Sequence, residues 1–90
     1  MKTDPRKRIL IVEDERDIAT LERAYLTSKG YDVHTEAYGS AALTYAADRR
    51  PDLVILDLNL PDISGLDVCK ELRALHKPWT IPIVMVTAMD

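Results

Sequence analysis

Asp57 closes an unbroken aliphatic run, Leu53-Val54-Ile55-Leu56, and Glu13-Asp14-Glu15 closes another, Ile9-Leu10-Ile11-Val12. A third apolar run, Ile83-Val84-Met85-Val86, ends at Thr87. Ionised carboxylates at the ends of buried strands need a cation or hydrogen-bond donors, because an apolar surround does not replace their hydration. If the first and third runs lie side by side in a parallel sheet, Glu13, Asp14 and Asp57 come together. Like charges at close range raise one another's pKa values or require a cation. Oxygen ligands without a His or Cys pair favour a hard ion such as Mg²⁺. A carboxylate beside that ion is a candidate nucleophile toward phosphorus, and the Thr87 hydroxyl is a candidate donor to a phosphoryl oxygen.

These residues need a scaffold that aligns strand ends, and the chain supplies the pattern for one. Strands are predicted at Ile9 to Val12, Tyr31 to Glu36, Leu53 to Asp57 and Ile83 to Val86. The second alternates apolar and polar residues as a half-buried edge strand does. The third and fourth are continuous apolar runs rich in β-branched residues, of the kind buried on both faces. Helices are predicted between them. The first runs from about Arg16 to Lys29, with Ile18, Leu21, Tyr25 and Leu26 at helical spacing and Gly30 as the residue that ends it. The second is Ala-rich, opened by Gly39-Ser40 and running from Ala41 to about Ala47. The third runs from about Gly65 to Leu75 after a turn at Pro61 to Gly65. The order β-α-β-α-β-α-β implies right-handed crossovers and a parallel sheet with helices on both faces. Ligands in such sheets bind at the carboxyl ends of the strands.

Ninety residues allow one domain. The composition, 47% hydrophobic and 30% charged, is that of an ordinary globular chain. A net charge of −3 argues against direct nucleic-acid binding by this segment. The single Cys69 excludes an intramolecular disulfide or a multi-cysteine metal site and fits a reducing cytoplasm. No apolar run approaches the roughly 18–20 residues of a membrane span. Arg6-Lys7-Arg8 reads as a solvated entry to the first strand.

Ile11-Val12-Glu13-Asp14-Glu15, Leu56-Asp57-Leu58-Asn59-Leu60-Pro61 with Gly65 beyond, and Val86-Thr87-Ala88 together resemble the receiver domain of two-component response regulators. The resemblance extends over essentially the whole chain. It implies a flavodoxin-like sheet, with the four strands present in the order 2-1-3-4, and phosphorylation on aspartate by a histidine kinase. Asp57 matches the phosphoacceptor, and Asp14 matches the direct Mg²⁺ ligand. Glu13 would act through a bound water, and the backbone carbonyl of Asn59 would complete the protein ligands. Thr87 matches the switch hydroxyl and Ala88 the small residue beside it. Asn59 and Met89 occupy the positions that tune loss of the phosphoryl group, and Pro61 and Gly65 shape the loop after the acceptor strand.

A complete receiver of this kind continues for roughly 30 more residues, the length of a further βα unit and its helix. The implied fifth strand and the lysine that pairs with the phosphoryl group fall in that part, and Lys70 and Lys77 cannot replace that lysine. The expectation is therefore an incomplete domain with impaired phosphorylation and a self-associating Ile83–Val86 edge. A DNA-binding or enzymatic output domain would lie beyond Asp90.

Plainer readings exist for each residue. A strand-end Asp is often a turn former or helix cap, and Glu15 suits the first turn of a helix through the macrodipole. Cys69 fits a core position. His34 and His76 are isolated from the site, Trp79 packs over the third helix, and Tyr38 and Tyr45 are packing residues. Two other functions compete. One is a haloacid-dehalogenase-like phosphohydrolase, disfavoured because its second Asp is replaced by Asn59 and its nucleophile belongs on the first strand. The other is an interaction fragment that carries no phosphate.

Overall fold

A computed structural model describes residues 6–75 and 81–86. Strands and helices alternate along it: β1 (Arg8–Val12), α1 (Arg16–Ser28), β2 (Asp32–Glu36), α2 (Gly39–Arg49), β3 (Leu53–Asp57), α3 (Gly65–Ala74) and β4 (Ile83–Val86). The four strands form one parallel sheet in the order β2-β1-β3-β4. The expected class and strand order are those observed. Boundaries moved mainly at α2, which begins earlier and ends later than its alanines suggested.

Side-chain alternation divides the sheet's two faces. Leu10, Val12, Val54 and Leu56 face α2 and α3, where they pack with Ala42, Ala46, Val68, Cys69 and Leu72. Each such aliphatic side chain contributes about 1.5–3 kcal/mol when fully buried. Ile9 and Ile11 point to the opposite face and are also buried. Here α1 covers the sheet through Ala19, with Glu22 and Leu26 half-buried. The predicted apolar stripe of α1 is only partly inward, since Ile18, Leu21 and Tyr25 are exposed. Their spacing reported the helix correctly, but the small Ala19 takes the closest approach to the strands.

Local chemistry sets the helix ends. Gly30 follows α1 at φ +96°, a conformation that costs glycine little. Ser64 caps α3, its hydroxyl accepting from the Leu66 N–H at 3.1 Å. Arg50 ends α2 in the left-handed region without a glycine. Cys69 is free and buried, as expected of a core residue. β4 stands at the sheet's edge with Val84, Met85 and Val86 exposed. Among the described residues no helix is long and apolar enough to cross a membrane. His76 and Trp79 lie outside the described residues.

Candidate functional site

Register brings the site together. Val12 pairs with Leu56, so the next residues on each strand, Glu13 and Asp57, emerge side by side at the carboxyl ends of β1 and β3. Asp14 follows on the exposed side. Oxygens from Glu13, Asp14 and Asp57 lie within 4.8 Å of one another. Glu13 is 8% exposed and Asp57 9%, so two of the three carboxylates are largely withdrawn from water.

Local turns hold them in place. The Asn59 N–H donates to Asp57 Oδ1 at 3.1 Å, and the Glu15 N–H donates to Glu13 Oε2 at 3.0 Å. Both are side-chain turns spanning two residues, in which a carboxylate captures an amide at the end of a strand. Glu15 is the N-cap of α1 but gives the helix no side-chain cap bond. Burial pushes Glu13 up to about 7 from an ordinary 4.5. The Glu15 amide opposes this, while the charges of Asp57 and Asp14 add to it. The cluster therefore carries uncompensated negative charge that a cation would relieve. Three converging carboxylates, with no nitrogen or sulfur donor in the cluster among the described residues, suit a hard, oxygen-seeking ion.

Two further acids were not anticipated from sequence. Glu22 of α1 has a buried Oε1 that lacks a hydrogen-bond partner among the described residues, and burial followed by the charge of Asp57 raises its pKa. No sequence signal marked it, since the burial of Ala19 one turn before it is set by the fold. Asp62 was read only as part of a turn. Its carboxylate accepts from the Gly39 N–H at 2.8 Å and the Ser40 N–H at 2.9 Å, so the β3–α3 loop caps α2. His34, which is not among the cluster's acids, has partners of its own. Its ring stacks on Tyr45 with centroids 3.9 Å apart, and its Nε2 lies 2.6 Å from Glu36 Oε2. That group sits on the sheet-edge strand β2 and on α2. Thr87, Ala88 and Met89 lie outside the described residues.

The loop after Asp57 is tightly set. The Gly65 N–H donates to the Leu58 carbonyl at 3.1 Å. A Cβ at Gly65 would sit 2.6 Å from both the Asp57 carbonyl oxygen and Leu58 Cα. Glycine is therefore required where α3 starts against the end of β3.

Comparison with known proteins gives a consistent picture. The family model described as the response regulator receiver domain matches residues 9–90. The alkaline phosphatase synthesis transcriptional regulatory protein PhoP of Bacillus subtilis is 45% identical over 84 residues, which are 93% of this chain and 34% of that protein. The DNA-binding response regulator MtrA of Mycolicibacterium smegmatis is 46% identical over 83 residues, 92% of this chain and 35% of that protein. The chain thus spans about a third of the length of these curated relatives. Among solved structures, the CheY-like receiver domain from Methylobacillus flagellatus superposes with a TM-score of 0.86 at 37% identity, covering 93% of this chain and 71% of that one. The response regulator TrrA from Thermotoga maritima, solved with Mg²⁺ and BeF, superposes with a TM-score of 0.83 at 40% identity and the same coverage.

Proposed function

Since the chain belongs to the response regulator receiver family of two-component signal transduction, we propose that Asp57 is its phosphoacceptor and that Glu13, Asp14 and Asp57 hold Mg²⁺. The observation that carries this reading is the meeting of those three carboxylates at the ends of β1 and β3. Asp14, the exposed member, is the direct ligand together with Asp57. Glu13 acts through a bound water, and the Asn59 backbone carbonyl completes the protein oxygens. When bound, Mg²⁺ supplies positive charge that offsets the charge developing on the phosphoryl oxygens.

In the reaction, an Asp57 carboxylate oxygen forms a bond to phosphorus as the phosphorus–nitrogen bond of a donor phosphohistidine breaks. The donor imidazole leaves with the electron pair and retains a proton. The Asn59 N–H on Asp57 Oδ1 orients the carboxylate and leaves Oδ2 for attack. Thr87 donates its hydroxyl to the transferred group, Ala88 leaves room for it, and Asn59 and Met89 tune the approach of water. The domain catalyses its own modification and turns over no external metabolite. The donor is a histidine kinase. The relatives' names point to a DNA-binding output, which we extend to a longer polypeptide containing this segment. The lone buried thiol Cys69 fits a reducing, cytoplasmic setting.

The test is a phosphoryl-transfer assay with acetyl phosphate or a histidine kinase in the presence of Mg²⁺. The expected result is an acid-stable, hydroxylamine-labile label that disappears in Asp57→Asn and on chelation of the metal. Label that persists in Asp57→Asn overturns the assignment, and a folded sample that takes up no label favours the non-phosphorylated interaction module.

A further inference from the structure

We propose that Asp62 is a positioning residue for the metal site, anchoring the β3–α3 loop on the first turn of α2 so that the Asn59 carbonyl is held in place. This rests on the reading of Glu13, Asp14, Asp57 and the Asn59 carbonyl as the oxygens that hold Mg²⁺. The first amides of a helix have no partner within the helix. In α2 the N-cap residue, Tyr38, supplies no side-chain bond. The need is met from 22 and 23 residues away, by Asp62 Oδ2 on the Ser40 N–H and Oδ1 on the Gly39 N–H. A carboxylate with one oxygen on each amide makes charge-assisted bonds, favoured further by the helix macrodipole. The Ser40 amide first, and the Gly39 amide with it, hold the Asp62 carboxyl down at about 2, so it remains ionised.

A helix cap alone would stabilise α2 and do nothing else. The path of the loop gives this one a second consequence. The loop between Asp57 and α3 has two fixed points. One is the Gly65 N–H on the Leu58 carbonyl. The other is Asp62 on α2, reinforced by the neighbouring Ile63, whose Cγ1 lies where a Cβ on Gly39 would approach to 2.5 Å. Asn59, Leu60 and Pro61 lie between these points. Asn59 carries both the amide that orients Asp57 and the carbonyl that faces the metal in the proposed arrangement. Releasing the second fixed point leaves the three carboxylates in place but frees that carbonyl to reorient. Metal affinity therefore falls although no carboxylate of the cluster has changed.

The experiment titrates the full 90-residue chain with Mg²⁺ alone by calorimetry and follows the backbone amides by two-dimensional NMR. Asp14→Asn serves as the control for the metal site. Asp62→Ala is expected to weaken Mg²⁺ binding about tenfold, the lower end of what groups behind a metal's ligands contribute. In the unaltered protein, Mg²⁺ should shift the Gly39 and Ser40 amide resonances, and this response should vanish in Asp62→Ala. Asp62→Asn keeps the shape but sets an amide donor against one of the helix N–H groups. It should weaken binding in the same direction, and it is the variant read if Asp62→Ala does not fold. A folded Asp62 variant that binds Mg²⁺ within about twofold of the unaltered protein, far from the effect expected of such groups, overturns the positioning role and leaves the metal site standing. Absence of Mg²⁺ binding in the unaltered protein, or binding undiminished in Asp14→Asn, overturns the metal site and this proposal with it.

Discussion

Glu13→Gln should stabilise the metal-free protein at neutral and alkaline pH while leaving it unchanged in acid. In the folded chain Glu13 takes up its proton at about 7, against an ordinary 4.5. The folded state therefore holds more protons than the unfolded state between those values, and the free energy of unfolding falls as pH rises through that window. At about 1.36 kcal/mol per pKa unit, the full gap corresponds to about 3 kcal/mol. Glutamine keeps an oxygen for the Glu15 N–H and places an amide donor toward Asp57, without the charge that burial and the neighbouring acids oppose. The variant should match the unaltered protein near pH 4 and exceed it by about 1–3 kcal/mol at pH 8. Urea unfolding in the presence of a chelator, at several pH values across this range, measures the difference. Adding Mg²⁺ should narrow the gap, because an ion that binds only the folded state stabilises the unaltered protein in proportion to its occupancy. Parallel pH profiles for the two proteins, or a variant less stable at pH 8, would refute the claim that Glu13 is held in the cluster at an electrostatic cost.

Two other outcomes follow from the same structure. Gly65→Ala should destabilise the chain by about 1–3 kcal/mol, because the added Cβ meets backbone atoms of Asp57 and Leu58 that cannot rotate away; calorimetric melting checks this, and an unchanged midpoint contradicts it. The Ile83–Val86 edge, exposed at Val84, Met85 and Val86, should self-associate as the chain concentration rises, and Val84→Lys should suppress this. Light scattering on a sizing column is the measurement, with a cooperatively unfolding monomer at all concentrations as the contrary result.

Much of the site was legible because two periodicities and a few charges carry it. Leu53 to Leu56 reads as a buried strand whatever surrounds it, and an acid at its end stands out against the aliphatic run. The same holds for Ile9 to Val12 with Glu13 and Asp14. Given a β-α-β-α-β-α-β order and the handedness of crossovers, a parallel sheet follows. Gly30 announced the end of α1, since it meets a local backbone requirement.

What local pattern cannot express is which distant groups meet. The inward face of α1 was decided by how closely that helix approaches the sheet, so Ala19 is buried while Leu21 and Tyr25 are exposed. Glu22 acquired a buried oxygen within the field of Asp57 from that same placement. His34 meets Glu36 two residues along its own strand, but it gained Tyr45 as a partner only when α2 was laid beside β2. Asp62 is the clearest case. In sequence it is one residue of a Pro-Asp turn, and only the packing of Gly39 against Ile63 brings the first amides of α2 within reach of its carboxylate. The sequence by itself determined the strands, their succession along the chain and the acids at their ends, because hydrophobic period and charge are properties of neighbouring residues. The tertiary structure decided the protonation of Glu13 and the anchoring of the loop after Asp57, because desolvation and hydrogen bonds between remote segments exist only once the chain has folded.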